Sequence, residues 1–158
     1  IDWHARVEIP VAELEACAKS QSVEITEGTV LLIRFGWETA YKKLTRKERE
    51  EYSAETKEPG MTPLPGIEGS EAMAARLWDW GLAAVACDNP AVEAWPPADP
   101  SLHELALCRL GMPFGEFWLL DGLAAQCHAE KRYEFFLTSA PLNVPFGVGS
   151  TANVLAVM

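Results

Sequence analysis

Basic residues are scarce in this chain: 13 lysines and arginines stand against 23 aspartates and glutamates, for a formal net charge of -10. Phosphate recognition needs a clustered cationic surface, so this balance argues against a nucleic-acid partner and equally against an anionic membrane surface. Long apolar runs are also missing. None approaches the roughly 18 residues needed to span a bilayer, and no basic stretch followed by an apolar core opens the chain as a secretory leader would. A cytoplasmic location is expected, although Ile1 is not an initiator methionine and a removed leader stays compatible with the sequence. Only four cysteines occur, Cys17, Cys87, Cys108 and Cys127, with no Cys-x-x-Cys pair, which leaves neither a disulfide framework nor a zinc-ribbon pattern. Four reduced thiols are expected, with Cys17 and Cys127 in alanine-rich helical patterns and Cys87 at the end of an apolar strand, all in packing roles. A nucleophilic Cys87 would need a base that the sequence does not place beside it. No repeat, low-complexity tract or linker divides the chain, so residues 1–158 are expected to form one domain.

The remaining composition, 49% hydrophobic and 23% charged, is that of a folded domain with a substantial core. Residues 11–20 read as a helix, with Pro10 near its start and Leu14, Cys17 and Ala18 on one apolar face. After Gly28, residues 29–35 form a continuous β-branched and apolar run, which predicts a central strand buried on both faces. Residues 37–53 carry many mixed charges and read as a solvated, partly helical excursion without chemistry. Pro59-Gly60, Pro63, Pro65-Gly66 and Gly69 then punctuate an irregular loop. Ser70 is placed to cap a helix over residues 72–80 that stops at Gly81, and residues 82–87 follow as a short apolar strand, a helix-to-strand unit typical of α/β proteins. Pro96, Pro97 and Pro100 break the chain again before Ser101 caps a fresh helix that carries His103 and ends near Gly111. A short apolar segment over 117–120, a helix over 121–130 and strands over 133–139 and 153–158 complete the expected elements.

Two side chains able to hold a metal lie near one another in sequence. His103 falls in the first turn of its helix, and Glu116 follows the turn Gly111-Met112-Pro113-Phe114-Gly115. Taken alone, each stays open: a lone histidine near a helix start is more often a surface or hydrogen-bonding group, and an isolated glutamate more often caps a turn. Asp88 and Asn89 end a buried strand, where ligands gather in layered α/β folds, yet an Asx side chain before proline equally closes a turn by bonding local backbone. Trp95, Phe114 and Trp118 are candidates either for an aromatic pocket or for the core. Gly149 and Ser150, in Gly147-Val148-Gly149-Ser150, are candidate pocket residues through close backbone approach, which a turn between strands explains as well. His128 reads as surface, and His4 receives no role.

The blocks Leu102-His103-Glu104, Gly111-Met112-Pro113-Phe114-Gly115-Glu116 and Leu120-Asp121 occur in order with several others. These are Gly28-Thr29-Val30-Leu31-Leu32-Ile33-Arg34-Phe35-Gly36-Trp37, Pro65-Gly66-Ile67, Asp88-Asn89-Pro90-Ala91-Val92-Glu93-Ala94-Trp95-Pro96 and Ser139-Ala140-Pro141-Leu142-Asn143-Val144. Together they resemble the cyclase family of metal-dependent amidohydrolases, whose best-known members are bacterial kynurenine formamidases, and most nearly its longer, mainly fungal branch. The resemblance implies an α/β chain with the swivelling β/β/α-type fold, a mixed sheet flanked by helices. It implies that His103 and Glu116 coordinate a divalent metal, Mn or Zn, that the turn at Asp88 borders the substrate pocket, and that metal-activated water attacks a small amide, lactone or ester. Ile1-Asp2-Trp3 resembles the end of the family's Gly-Val-Leu-Ile-Asp strand. The family's His-x-Gly-Thr-His-x-Asp-x-Pro-x-His motif, with further ligands and a histidine base, would precede it, so the chain reads as the C-terminal portion of such a domain. Thr151 stands where relatives carry proline after Gly-x-Gly-Ser, a departure that touches local pocket geometry.

Two ligands under-coordinate a first-row ion, so metal bound by this chain alone is expected to be weak. The expected partners are a small-molecule substrate and either the absent half or a second copy. The rival reading is a non-catalytic small-molecule-binding or interaction protein.

Overall fold

A computed structural model describes residues 1–54 and 62–158. The expected turn at Pro59-Gly60 lies outside the described residues. The elements, in chain order, are β1 (Glu8–Ile9), α1 (Val11–Ser20), β2 (Val30–Ile33), α2 (Trp37–Lys43), α3 (Arg46–Ala54), β3 (Gly66–Ile67), α4 (Glu71–Asp79) and β4 (Ala84–Cys87). A π-helical segment (His103–Arg109) follows, then β5 (Phe114–Gly115), α5 (Asp121–Glu130), β6 (Phe136–Thr138) and β7 (Leu155–Val157). The architecture is α/β, with parallel sheets flanked by helices, as expected.

The main sheet has the order β2-β4-β5 and is parallel throughout, with Val30 opposite Ala84, Ile33 opposite Cys87 and Val85 opposite Phe114. The β4 strand is therefore central, and its Val85, Ala86 and Cys87 are buried. This corrects the expectation for residues 29–35. Thr29 donates back to Thr26 at 3.2 Å and Phe35 turns toward Asp88, so the strand shortens to Val30–Ile33, where all four residues are only half-buried and the strand lies at the sheet edge. An apolar run reports that a strand is covered, while its rank in the sheet depends on which neighbours pair with it. A second parallel pair joins β1 to β3, and β6 and β7 form an antiparallel hairpin.

Helix α4 forms where Ser70 presents its Oγ to the Met73 amide at 3.1 Å, and it buries Met73, Ala74 and Leu77. These residues meet Leu14 of α1, Val85 and Cys87 of β4, and Leu105 and Ala106 of the π-helical segment in one core. Cys87 and Cys127 are buried as expected, whereas Cys17 and Cys108 are exposed, so the packing role does not extend to Cys17. Residues 37–53 divide into two helices, because Thr45 and Glu48 bond each other's backbone amides at 2.7 and 3.3 Å and start α3 afresh. The α2 helix is not wholly solvated. Glu38 is buried, accepts the Leu120 amide at 3.0 Å and pairs with Lys42, while Thr39 Oγ1 and Arg34 Nε donate to Asp121 at 2.7 and 2.8 Å. These bonds clamp α2 to the start of α5, and the bonds from Thr39 and then Arg34, against burial, hold the Asp121 carboxyl below its usual range. Among the described residues, no helix is long and apolar enough to cross a membrane.

A histidine and two carboxylates at the carboxyl end of the central sheet

Beyond Cys87, the chain leaves the sheet through Asp88 and Asn89, both buried. Asp88 accepts the amides of Phe35 at 2.7 Å, Gly36 at 2.9 Å and Glu38 at 3.4 Å, so its carboxylate caps α2 and ties the ends of β4 and β2 together. Asn89 donates to the Pro65 carbonyl, and its own carbonyl accepts the Phe117 amide at 2.9 Å. Both side chains address backbone rather than open space; the residues after them, Pro90 and Ala91, reach a cleft of about 410 Å³.

His103 and Glu116 face this cleft together. The histidine stands at the head of the π-helical segment, whose first turn Ser101 steadies by accepting the Glu104 amide at 3.1 Å. Glu116 follows β5, half-buried, and accepts the Val92 amide at 3.2 Å. His103 Nε2 and Glu116 Oε1 are 3.3 Å apart. The other ring nitrogen, Nδ1, lies 2.6 Å from Oε1 of Glu93, a wholly buried carboxylate that also accepts the amides of Leu102 at 2.7 Å and His103 at 2.9 Å. The Phe114 ring meets the imidazole edge-on, centroids 5.2 Å apart.

Bonds to Glu116 and then Glu93 outweigh burial and raise the His103 pKa to about 9. Burial pushes the Glu93 carboxyl up, but the bonds from His103 and the two amides prevail and leave it below its usual range. Burial pushes the Cys87 thiol far up, which agrees with a packing role and against a nucleophile.

Trp95 lines the same cleft, with Leu64 opposite it through paired backbone bonds of 3.0 Å. Trp118 instead packs beneath Gly115, where a Cβ would meet its ring at 2.6 Å. Gly149 and Ser150 lie in the exposed arm between β6 and β7 and do not line the cleft. His128 is exposed. Three contributors were not singled out from sequence: Glu93, Trp37 and Tyr52, the last two completing the aromatic wall. A charge inside Ala91-Val92-Glu93-Ala94 and aromatic rings inside a charged stretch were the available signals.

The donor set fits a divalent cation. A separation of 3.3 Å is what two ligands of one ion adopt at bond lengths of about 2.1 Å, and a histidine whose second nitrogen bonds a carboxylate is the usual form of an imidazole ligand. Among the described residues, no three histidine, cysteine or acidic side chains are grouped to hold a metal.

A family model described as Putative cyclase matches residues 1–94. A solved structure described as a novel cyclase superposes with a TM-score of 0.81 at 32% sequence identity, covering 98% of this chain and 48% of that one. The chain thus spans about half the length of that structure. No curated protein matches it. With more than half of its length matched by the family model and nearly all of it superposed on a solved relative, the chain belongs to the cyclase family.

Proposed function

We propose that this chain supplies one wall of a metal-dependent hydrolase site that acts on a small amide, lactone or ester. The observation that carries the reading is His103 Nε2 facing Glu116 Oε1 at 3.3 Å across an aromatic-walled cleft. His103 and Glu116 would hold the ion, Mn²⁺ or Zn²⁺, with further ligands and the general base coming from polypeptide beyond these residues. When bound, such an ion lowers the pKa of a water and polarises a carbonyl. The chain's own groups do the rest of the work on this wall: Glu93 and Phe114 orient the imidazole, Trp37, Tyr52 and Trp95 exclude water and pack against the organic part of a substrate, and Asp88 holds the α2 wall in place. Elemental analysis of the purified full-length protein tests the reading. One Mn or Zn per chain is expected, lost in His103→Ala and in Glu116→Gln, and unchanged content in both variants would remove the ligand assignment.

A second reading, a non-catalytic small-molecule-binding protein, is favoured by one observation: among the described residues no three side chains are grouped to hold a metal beside a mostly apolar cleft. It predicts that an aromatic amide binds equally well with and without a chelator and emerges uncleaved.

A further inference from the structure

Glu93 is the charge least expected from the sequence. It is 0% exposed, and among the described residues no lysine or arginine pairs with it. A carboxylate withdrawn from water is strongly disfavoured unless its bonds offset that loss. Yet the preceding loop is shaped around it. Gly66 lies so near the Glu93 backbone that a Cβ there would stand 2.1 Å from its carbonyl carbon, and a Cβ on Gly69 would stand 3.0 Å from Oε2. Backbone bonds of 3.0 Å, from Ile67 to Val92 and from Ala94 to Ile67, hold Glu93 between them.

From that seat the carboxylate makes three contacts. Two are to the amides of Leu102 and His103, which a cap would need in any case. The third is to His103 Nδ1, and it sets the ring: with Nδ1 committed to an acceptor, Nε2 can only point outward, where Glu116 stands. An acceptor on Nδ1 also keeps the proton on that nitrogen and leaves the Nε2 lone pair to a cation, while making the imidazole a better donor.

We propose that Glu93 is a positioning residue, which presents His103 Nε2 toward Glu116 for a divalent cation by binding Nδ1 from beneath the cleft. The inference rests on the reading of His103 and Glu116 as cation ligands. It acts through another residue, so its signature is dependence on His103.

The test is Mn²⁺ affinity of the full-length protein, followed by the electron paramagnetic resonance of the free ion. Wild type is compared with Glu93→Gln, Glu93→Asp, His103→Ala and the Glu93→Gln/His103→Ala double variant. Glu93→Gln places an amide group against a donor, and Glu93→Asp keeps the charge but withdraws it from Nδ1. Each is expected to weaken Mn²⁺ binding about 10- to 100-fold, the usual loss on removing a carboxylate behind a ligand histidine. The double variant is expected to bind no more weakly than His103→Ala alone. Should Glu93→Gln fail to melt cooperatively, Glu93→Asp carries the comparison. Wild-type affinity in the Glu93 variants, with His103→Ala impaired, overturns the positioning role and leaves the ligand reading standing. A further loss in the double variant overturns it as well, since a general structural role would not depend on His103. Wild-type affinity in His103→Ala overturns the ligand reading itself.

Discussion

At the scale of single residues, the imidazole of His103 is the most responsive group in the cleft. Its pKa, raised to about 9 from an ordinary 6.5, means that the folded protein binds a proton there more tightly than the unfolded chain does. In metal-free protein this contribution to stability is fully present below about pH 6.5 and is lost as the pH rises through about 9. Melting temperatures measured in chelator across that window should therefore fall in wild type and fall less in His103→Ala. Equal slopes would show that the ion pairs with Glu93 and Glu116 do not form. Part of this site was legible in the sequence. His103 and Glu116 stood out because a histidine opening a helix and a glutamate following a glycine-proline turn are recognisable in one dimension. Glu93 was not, because a single acidic residue among Ala91, Val92 and Ala94 carries no local sign that three donors converge on it.

Among the elements, the joint between β4 and α2 carries the cleft wall. Asp88 satisfies three backbone amides at the start of α2, one of them the buried Phe35 amide. Asp88→Ala leaves all three without their acceptor and is expected to cost about 3 kcal/mol. Asp88→Asn keeps one acceptor oxygen but turns an amide group on the other amides, so it should restore less than half. Denaturant unfolding checks both, and a loss below about 1 kcal/mol for Asp88→Ala would show that solvent replaces the cap. Asp88 illustrates why the sequence left two readings open. Its position after an apolar strand fits both a ligand pocket and a turn cap, and only the approach of Phe35 and Gly36, more than fifty residues away, directs the carboxylate to backbone. Elements with local punctuation were easier: Pro10 before α1, Ser70 before α4 and the run Asp121–Glu130 appear where expected. The break between α2 and α3 was written in Thr45 and Glu48, whose reciprocal bonds were hidden within a longer charge run. The edge position of β2 had no such mark, since its partners are chosen by the whole sheet.

For the whole molecule, the distribution of apolar surface is uneven. Phe146, Val148 and Leu142 on the arm between β6 and β7 are exposed, and an open groove of about 990 Å³ runs between α1, β2, α5 and β6. Exposed apolar area of this kind is ordinarily covered by other polypeptide, and a net charge of -10 does not by itself cover it. The 158-residue chain prepared alone is thus expected to associate, and light scattering that shows a monodisperse monomer would contradict this. The central claim concerns the cleft. Crystals of the full-length protein grown with Mn²⁺, measured at an energy where manganese scatters anomalously, give the most direct test. The predicted result is a single strong anomalous peak within bonding distance of both His103 Nε2 and Glu116 Oε1. A cleft without a peak, or a manganese ion bound by other residues, would contradict it.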